Sequence, residues 1–274
     1  MRGYGLVDAV CHLINEAPYE KGDKSTADKQ NKPPSTTSKS APTTYTPSNE
    51  AQSNPHPQHL LLPRRNKDNY HVIAYLQNRG IDRDLIMDCI RRGVLYESAL
   101  HHNAVFLGKD ANDKTRFAAL RGTRGNFKCD AEGSNKKYGF VVPPQNLDAY
   151  SNQANQAVML FESPIDALSH QTLCNRGELP DFDGWRLSLG GTSTLPVIGF
   201  LEQHPNINHC IIATDNDEAG NAFADKMVNK LNMTTERVHP LQGKDWNEAL
   251  LQTLRPETPS HQAEHTNEQA EPDL

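Results

Sequence analysis

Two groups of carboxylates lie about fifty residues apart in the chain, and each follows a short apolar run. Residues 158–161 lead into Glu162 and Asp166, and residues 210–213 lead into Asp215 and Asp217. Short apolar runs bounded by polar residues are typical of buried parallel strands, whose carboxyl ends meet at one edge of a sheet. We therefore expect a site lined by carboxylate oxygens, which are the ligands that Mg²⁺ prefers in proteins.

The second group also has a purely structural interpretation. The segment Asp215-Asn-Asp217-Glu-Ala-Gly is compatible with a turn that begins a helix, in which Asp217 accepts hydrogen bonds from free backbone N–H groups. Short acidic turns are common, so this segment alone leaves both interpretations open.

Four motifs along residues 156–254 resemble, in their order, the TOPRIM domain of bacterial primases, topoisomerases and small nucleases. The hallmark of that family is a strand-end glutamate in one motif and Asp-x-Asp in a later one, here Glu162 and Asp215-Asn-Asp217. A glycine-bearing strand-to-helix turn lies between them, and a closing motif follows. These two motifs are Leu187-Ser-Leu-Gly190-Gly191 and Gly243-Lys244-Asp245-Trp-Asn247-Glu.

The resemblance implies an Mg²⁺ cofactor and a role for each group of site residues. One position departs from the family, because primases usually carry a second aspartate where this chain has Asn247. The implied metal ligands are Asp215, Asp217 and Asp245; the implied catalytic residues are Glu162 and Asp166; the implied supporting residues are Gly190, Gly191 and Lys244.

The pattern of the same region predicts an α/β fold with a parallel sheet, and the resemblance implies a Rossmann-like TOPRIM domain over residues 156–255. Alternating strands and helices favour a parallel sheet with helices on both faces. The predicted strands are 158–162, 186–189, 210–214 and 236–238, and the predicted helices are 164–176, 194–203, 218–231 and 246–254.

Residues 61–150 are predicted to form a small α+β domain with a basic surface. Residues 69–93 favour two helices, and the alternating runs that begin at Ala104, Phe117 and Tyr138 favour a small antiparallel sheet. Between Leu60 and Tyr150 there are fifteen Lys or Arg and ten Asp or Glu. These cations either contact phosphates or form a solvated face. The candidate nucleic-acid contacts are Arg116, Arg121, Arg124, Lys128, Lys136 and Lys137.

This region resembles the uncharacterised domain that precedes TOPRIM in primase-like proteins of bacterial plasmids and integrative elements. The resemblance is carried by the helix pair around Arg79-Gly-Ile-Asp82, the Leu95-Tyr-Glu turn, and the segments beginning at His102 and Ala119. In primases the segment before TOPRIM forms a basic wall for template and nucleotide. Residues 1–18 look like the last helix of a primase-type zinc-binding domain, although Cys11 and His12 lack the paired cysteines of a zinc site.

The remaining segments are predicted to be unpacked. Residues 19–60 have almost no large apolar side chains and favour a flexible linker, and residues 256–274 form an acidic tail with five acids and no Lys or Arg. Without that tail the formal charge changes from -6 to -1, so the acidity of the chain does not exclude a nucleic-acid partner.

The cysteines and histidines indicate no further site in the sequence. The five cysteines show no framework spacing and are predicted to be reduced thiols, and the twelve histidines are predicted to be solvated. No signal peptide and no apolar run long enough to span a bilayer is present, so no membrane partner is expected and the cytoplasm is the expected location.

Three functions are compatible with this pattern. The first is primase-like nucleotidyl transfer on DNA, which we expect to be single-stranded, or on RNA, with nucleotides as substrates. The second is phosphodiester hydrolysis by the same carboxylates, and the third is nucleic-acid binding without catalysis. Each fits a mobile element whose replication or mobilisation proteins are partners. A topoisomerase is not expected, since the chain has no room for the further large domain that carries the nucleophilic tyrosine.

Overall fold

The structure is a computed structural model that describes residues 59–145 and 156–255. The predicted N-terminal helix, nearly all of the predicted linker and the predicted acidic tail lie outside these residues. The described residues from Leu60 onward belong to one compact unit. Within them, no helix has the length and apolar character needed to cross a membrane.

The described residues contain helices and strands that we number in chain order. The helices are α1 (Tyr70–Asn78), α2 (Arg83–Arg91), α3 (Pro164–Asn175), α4 (Leu195–Gln203), α5 (Glu218–Lys230) and α6 (Trp246–Thr253). The strands are β1 (Leu95–Glu97), β2 (Ala104–Lys109), β3 (Thr115–Arg121), β4 (Lys128–Asp130), β5 (Val141–Val142), β6 (Ala157–Phe161), β7 (Trp185–Ser188), β8 (His209–Ile212) and β9 (Thr234–Arg237).

The larger sheet has the strand order β5-β7-β6-β8-β9. Strands β6 to β9 are parallel, and β5 pairs antiparallel with β7. All five residues of β6 are buried, because apolar side chains cover both faces of the sheet. Met159 and Phe161 face a core that includes α3 and α6, whereas Val158 and Leu160 face α4 and α5. The predicted parallel sheet with helices on both faces is therefore confirmed, and each predicted element of this region lies within two residues of the observed one.

The smaller sheet is antiparallel, and its strands follow chain order from β1 to β4. The predicted helix pair is also present, as α1 and α2. Val72 and Leu76 of α1 belong to the same buried cluster as Phe161 of β6 and Leu250 of α6. The smaller sheet and its helices therefore share a hydrophobic core with the larger sheet, and this fixes the position of one relative to the other.

Two details of the smaller sheet differ from the predictions. The run beginning at Tyr138 was expected to be one of its strands, but Val141–Val142 instead pairs with β7 of the larger sheet. Phe140, just before it, is fully buried, and its carbonyl accepts a hydrogen bond from the Ser188 backbone N–H. The predicted turn at Leu95 is strand β1, which pairs with β2. In both cases strand pairing decides the structure, with the next strand for β1 and with a strand much further along the chain for Val141–Val142.

Gly220 in the first turn of α5 allows the loop after β8 to approach the helix closely. A Cβ atom at this position would lie 2.1 Å from the Asp215 carbonyl oxygen. The Thr214 hydroxyl also donates to the Gly220 carbonyl over 3.1 Å, so the loop and the helix are held together.

We predict that Gly220→Ala destabilises the protein by about 1–3 kcal/mol, although alanine normally favours a helix, because the new methyl group displaces the loop backbone. Chemical denaturation measures the change in the free energy of unfolding. The control is Val228→Ala on the same helix, where the side chain is 51 % exposed and the expected change is within about 0.5 kcal/mol. Equal stability of Gly220→Ala and wild type would contradict the close contact.

Candidate active site

Glu162 lies directly after β6 and links the ends of three strands. Its carboxylate Oε1 accepts a hydrogen bond from the Asp215 backbone N–H over 3.3 Å, and its carbonyl accepts from the Gly191 N–H over 2.9 Å. Gly190 and Gly191 have φ angles of 67° and 118°, which glycine adopts readily, and these values let the chain after β7 turn towards Glu162. Burial, and then the charge of Asp217, raise the pKa of Glu162 above its usual value.

Asp215 follows β8 and carries a carboxylate oxygen with no partner. Among the described residues, Asp215 Oδ1 is buried and has no hydrogen bond, and Oδ2 lies 4.0 Å from the Lys244 ammonium. Burial, followed by the charges of Asp166, Glu162 and Asp245, raises the pKa of Asp215 to about 7. A cation bound beside this oxygen would compensate both the missing donor and the repulsion of the neighbouring acids.

Asp217 and Asp245 are helix N-caps. Asp217 Oδ1 accepts from the Gly220 N–H over 2.9 Å, and Asp245 Oδ1 accepts from the Glu248 N–H over 2.7 Å. Lys244 lies 3.0 Å from Asp217 Oδ2. The Gly220 N–H and then Lys244 hold the pKa of Asp217 below its usual value. The helix-cap interpretation of this segment is thus correct, and each cap occupies only one oxygen of its carboxylate.

Asp166 lies in the first turn of α3 and is buried. The Ser163 hydroxyl donates to Asp166 Oδ2 over 2.6 Å and accepts from the Asp166 N–H over 3.3 Å. Burial raises the pKa of Asp166 to about 6, with the charges of Asp245 and Glu162 acting in the same direction. Asp166 therefore contributes to the electrostatics of the cluster while it also fixes the start of α3.

A cleft of about 560 Å³ brings four of these acids, all except Asp217, together with cations from the smaller sheet and its helices. The guanidinium of Arg121 donates to the Leu120 carbonyl over 2.9 Å and pairs with no carboxylate among the described residues. Burial lowers the pKa of Arg121. The cleft is lined by the acids Glu162, Asp166, Asp215 and Asp245, by Gly190 and Gly191, and by the cations Arg79, Arg121 and Lys128.

The other four cations that were predicted to contact nucleic acid do not line this cleft. Arg116 pairs with Asp110 over 2.7 Å, and Lys137 pairs with Glu202 over 3.2 Å. Lys136 pairs with Asp130 and lies 5.7 Å from the ring centre of Phe117. Arg124 is exposed on the loop between β3 and β4.

Two protein-family models match this chain. Residues 159–250 match the model of the Toprim-like family. The chain contains a Toprim-like domain. Residues 74–146, which precede it, match the model of a family described as protein of unknown function, DUF3991. A comparison with curated protein sequences gives no match. The resemblances of these two regions stated from the sequence are therefore confirmed.

The fold is similar to that of solved primases at low sequence identity. The primase fragment of the bacteriophage T7 primase-helicase is 17% identical, with a TM-score of 0.48, over 65% of this chain and 69% of that one. The E. coli primase catalytic core is 13% identical, with a TM-score of 0.43, over 67% of this chain and 69% of that one. The Aquifex aeolicus primase is 15% identical, with a TM-score of 0.44, over 65% of this chain and 52% of that one.

The residues of the Toprim-like domain fit a divalent cation. Its carboxylates supply only oxygen donors, which suit a hard ion such as Mg²⁺. Asp215 Oδ1 is the buried acceptor that lacks a donor, and Asp217 and Asp245 each keep one oxygen that does not cap a helix. Lys244 lies 4.0 Å from Asp215 Oδ2 and is 54 % exposed, so it compensates the buried oxygen only weakly. The Arg237 guanidinium donates to the Asp215 backbone carbonyl over 2.9 Å and adds a second positive charge beside the acids.

Two residues to which the sequence analysis gave no site role, Asn247 and Arg79, connect the Toprim-like domain to the preceding one. Asn247 is buried, and its amide donates to the Arg79 carbonyl over 2.8 Å and to the Ser169 hydroxyl over 3.0 Å. In return, the Arg79 guanidinium donates to Asn247 Oδ1 over 2.9 Å. The asparagine at position 247, where the resembled family has aspartate, could have indicated this role from the sequence. Only a neutral amide both donates and accepts in this way.

We predict that Asn247→Asp destabilises the protein by about 1–3 kcal/mol, because the carboxylate cannot donate to Arg79 or Ser169 and adds a buried negative charge beside Asp166 and Asp245. Thermal and chemical denaturation measure this loss.

The control is Asn112→Asp, the same chemical change on an exposed turn, for which we expect no measurable loss. Equal stability of the two variants would show that the Asn247 contacts do not hold the domains together.

Proposed function

We propose that this protein catalyses Mg²⁺-dependent nucleotidyl transfer on nucleic acid, in the manner of a primase. The observation that carries the proposal is the cleft in which carboxylates of the Toprim-like domain face Arg79, Arg121 and Lys128 of the preceding domain. A site that must bind both a cation and a polyanion needs charges of both signs within reach of one ligand.

The cations of the cleft suit the phosphates of a nucleic acid or a nucleotide. Arg79 and Arg121 offer guanidinium groups that match phosphate geometry, and Lys128 is exposed at the rim. Tyr75 and Phe127 line the same cleft and offer rings for stacking on bases. This combination favours a single strand, whose bases are free to stack.

Asp215, Asp217 and Asp245 are the residues that would hold the metal. When bound, Mg²⁺ neutralises phosphate oxygens and stabilises the charge that develops during transfer. Lys244 holds Asp217 in place through its ion pair, and the Lys244 carbonyl accepts from the Asn216 N–H over 2.8 Å. Glu162, with its raised pKa, is suited to accept a proton from the attacking hydroxyl group.

The same carboxylates are compatible with a nuclease, and the cleft alone is compatible with a binding protein. Incubation of the full chain with Mg²⁺, labelled single-stranded DNA or RNA and NTPs separates the three. Extension of the labelled strand supports the proposal, and shortening of that strand indicates hydrolysis. Retention of the unchanged strand by the protein indicates binding only. By resemblance to primase-like proteins of plasmids and integrative elements, we propose replication or transfer of a mobile element as the setting, with replication or mobilisation proteins as partners.

We predict that Asp215→Asn and Asp217→Asn each abolish turnover and weaken Mg²⁺ binding, because each removes a formal charge from the proposed metal site. Glu162→Gln keeps an oxygen that accepts from the Asp215 N–H but loses the proton acceptor. We therefore expect a rate loss on the order of 10²–10⁴-fold with metal affinity retained.

Single-turnover assays and Mg²⁺ titrations measure these changes. The control is Asp225→Asn on the exposed face of α5, which should leave both quantities unchanged. Full Mg²⁺-dependent activity in all three site variants would refute the catalytic assignment.

We also predict that Arg121→Gln and Lys128→Ala each weaken nucleic-acid binding across all sequences. Each variant should reduce the slope of log K against the logarithm of the salt concentration by about one, because it removes one cation that neutralises a phosphate. The matched control is Lys137→Ala, because Lys137 pairs with Glu202 outside the cleft. Binding isotherms at several salt concentrations measure both effects. An equal loss in the control would show that the cleft has no special role in binding.

A further inference from the structure

A second polar cluster lies in the domain that precedes the Toprim-like domain, around Glu97 at the end of β1. Glu97 is fully buried, at 0 % exposure. Among the described residues, no Lys or Arg forms an ion pair with it, and its charged neighbours are the imidazoles of His71 and His102. A buried carboxylate needs a compensating positive charge close to it.

The two oxygens of Glu97 have different surroundings. Oε2 accepts from the backbone N–H groups of His71 and Val72 over 2.9 and 3.2 Å, so it satisfies the first turn of α1. Oε1 lies 2.8 Å from Asn66 Nδ2, 3.1 Å from His71 Nδ1 and 2.5 Å from His102 Nδ1. Helix capping therefore accounts for Oε2 and leaves the convergence of two imidazole nitrogens on Oε1 to be explained.

The histidines reach this point from different elements. His71 belongs to α1, and His102 belongs to the loop between β1 and β2, where its φ angle is 53°. A positive φ is uncommon for a residue other than glycine and marks positions held by their surroundings. The two rings lie 4.1 Å apart, and the side chains are 34% and 40% exposed, so solvent and solutes reach the cluster.

We propose that His71, His102 and Glu97 bind a zinc-class transition-metal ion through the two Nδ1 atoms and Oε1. The three donor atoms lie within 4.8 Å of one another. Tetrahedral zinc, with bonds of about 2.0–2.2 Å, places its donors roughly 3.3 Å apart, so small side-chain movements complete the site. The fourth position faces solvent and takes a water molecule.

The chemistry of this site differs from that of the acidic cleft. Imidazole nitrogen favours Zn²⁺, Co²⁺ or Ni²⁺, whereas carboxylates alone favour Mg²⁺. The Glu97 backbone N–H also donates to Asn69 Oδ1 over 2.8 Å, which fixes the carboxylate relative to α1. A bound ion would join α1, β1 and the β1–β2 loop, and would therefore stabilise this domain without taking part in the proposed reaction. The inference is independent of the proposed function.

Adjacent histidines in the β1–β2 loop provide a matched pair of variants for the test. His101 and His102 both have positive φ, at 66° and 53°, and asparagine tolerates this conformation. Of these two adjacent histidines, His102 contacts Glu97 and His101 does not. His102→Asn therefore removes one ligand, while His101→Asn changes the same loop and leaves all three ligands.

The experiment is a titration of the full chain with Co²⁺ and with Zn²⁺ in excess Mg²⁺, which competes for any site formed by carboxylates alone. We expect wild type and His101→Asn to bind one ion with visible Co²⁺ d–d bands, and Zn²⁺ to raise their melting temperature. His102→Asn and His71→Gln should bind this ion at least tenfold more weakly. Equal binding by His101→Asn and His102→Asn, or no saturable binding by wild type, would overturn the proposal and leave a hydrogen-bonded network.

Wild type supplies a further readout if a ligand variant fails to fold. The X-ray absorption spectrum of its bound zinc should show imidazole nitrogen and carboxylate oxygen without sulfur. A spectrum with sulfur ligands, or without imidazole, would place the ion elsewhere in the chain and overturn the proposal.

Discussion

The mutual repulsion of carboxylates at one edge of the larger sheet is the constraint on which the rest of the site depends. Glu162, Asp166, Asp215 and Asp245 line one cleft, and burial together with neighbouring acids raises the pKa of Asp215 to about 7. The fold partly offsets this repulsion with helix N-termini. Asp166 lies in the first turn of α3, and Asp217 and Asp245 cap α5 and α6. The positive ends of three helices therefore point towards the acids, which favours the charged carboxylates.

The structural and chemical interpretations of the acidic turn are consequently not alternatives. A helix N-cap uses one oxygen of a carboxylate and fixes its direction, so the second oxygen is oriented before any ligand arrives. Asp217 shows this division, since Oδ1 accepts from the Gly220 N–H while Oδ2 faces Lys244. The close contact at Gly220 holds the same loop against α5.

The preceding domain is held against this site by polar contacts as well as by the shared core. Arg176 of the Toprim-like domain pairs with Asp82 over 2.7 Å and donates to the Gly80 carbonyl over 2.9 Å. These bonds, together with the hydrogen bond from the Asn247 amide to the Arg79 carbonyl, hold the turn between α1 and α2 in place. Because Arg79 belongs to that turn, the contacts that join the domains also position a cation of the cleft.

Sequence patterns predicted the elements of the Toprim-like domain well, because each strand there is an apolar run followed by a helical one. They failed at β1 and β5, which have three and two residues, since so short a segment has no clear pattern and strand pairing decides its structure. β1 pairs with the next strand, β2, and β5 pairs with β7, which lies much further along the chain. The fold also decides the partners of charged groups, which residue type alone does not indicate. Arg116 and Lys137 look identical to Arg121 and Lys128 in sequence, but they pair with Asp110 and Glu202 outside the cleft. The histidines were predicted to be solvated, and that was wrong for His170, which is buried. His71 and His102 are partly exposed, but they also contact Glu97, which the sequence did not indicate.

The charges that remain unpaired carry the strongest argument about the cleft. Arg121 and Asp215 line the same cleft, yet among the described residues Arg121 donates only to a backbone carbonyl, and Asp215 Oδ1 has no partner. A direct Arg121–Asp215 ion pair would satisfy both groups and would leave neither available to a ligand. Burying an unpaired charge is unfavourable, so separate ligands that pair with each group would stabilise the arrangement. Under the proposed function a phosphate would pair with Arg121 and a cation with Asp215, and a metal-bound nucleotide or nucleic-acid phosphate would bring the two together.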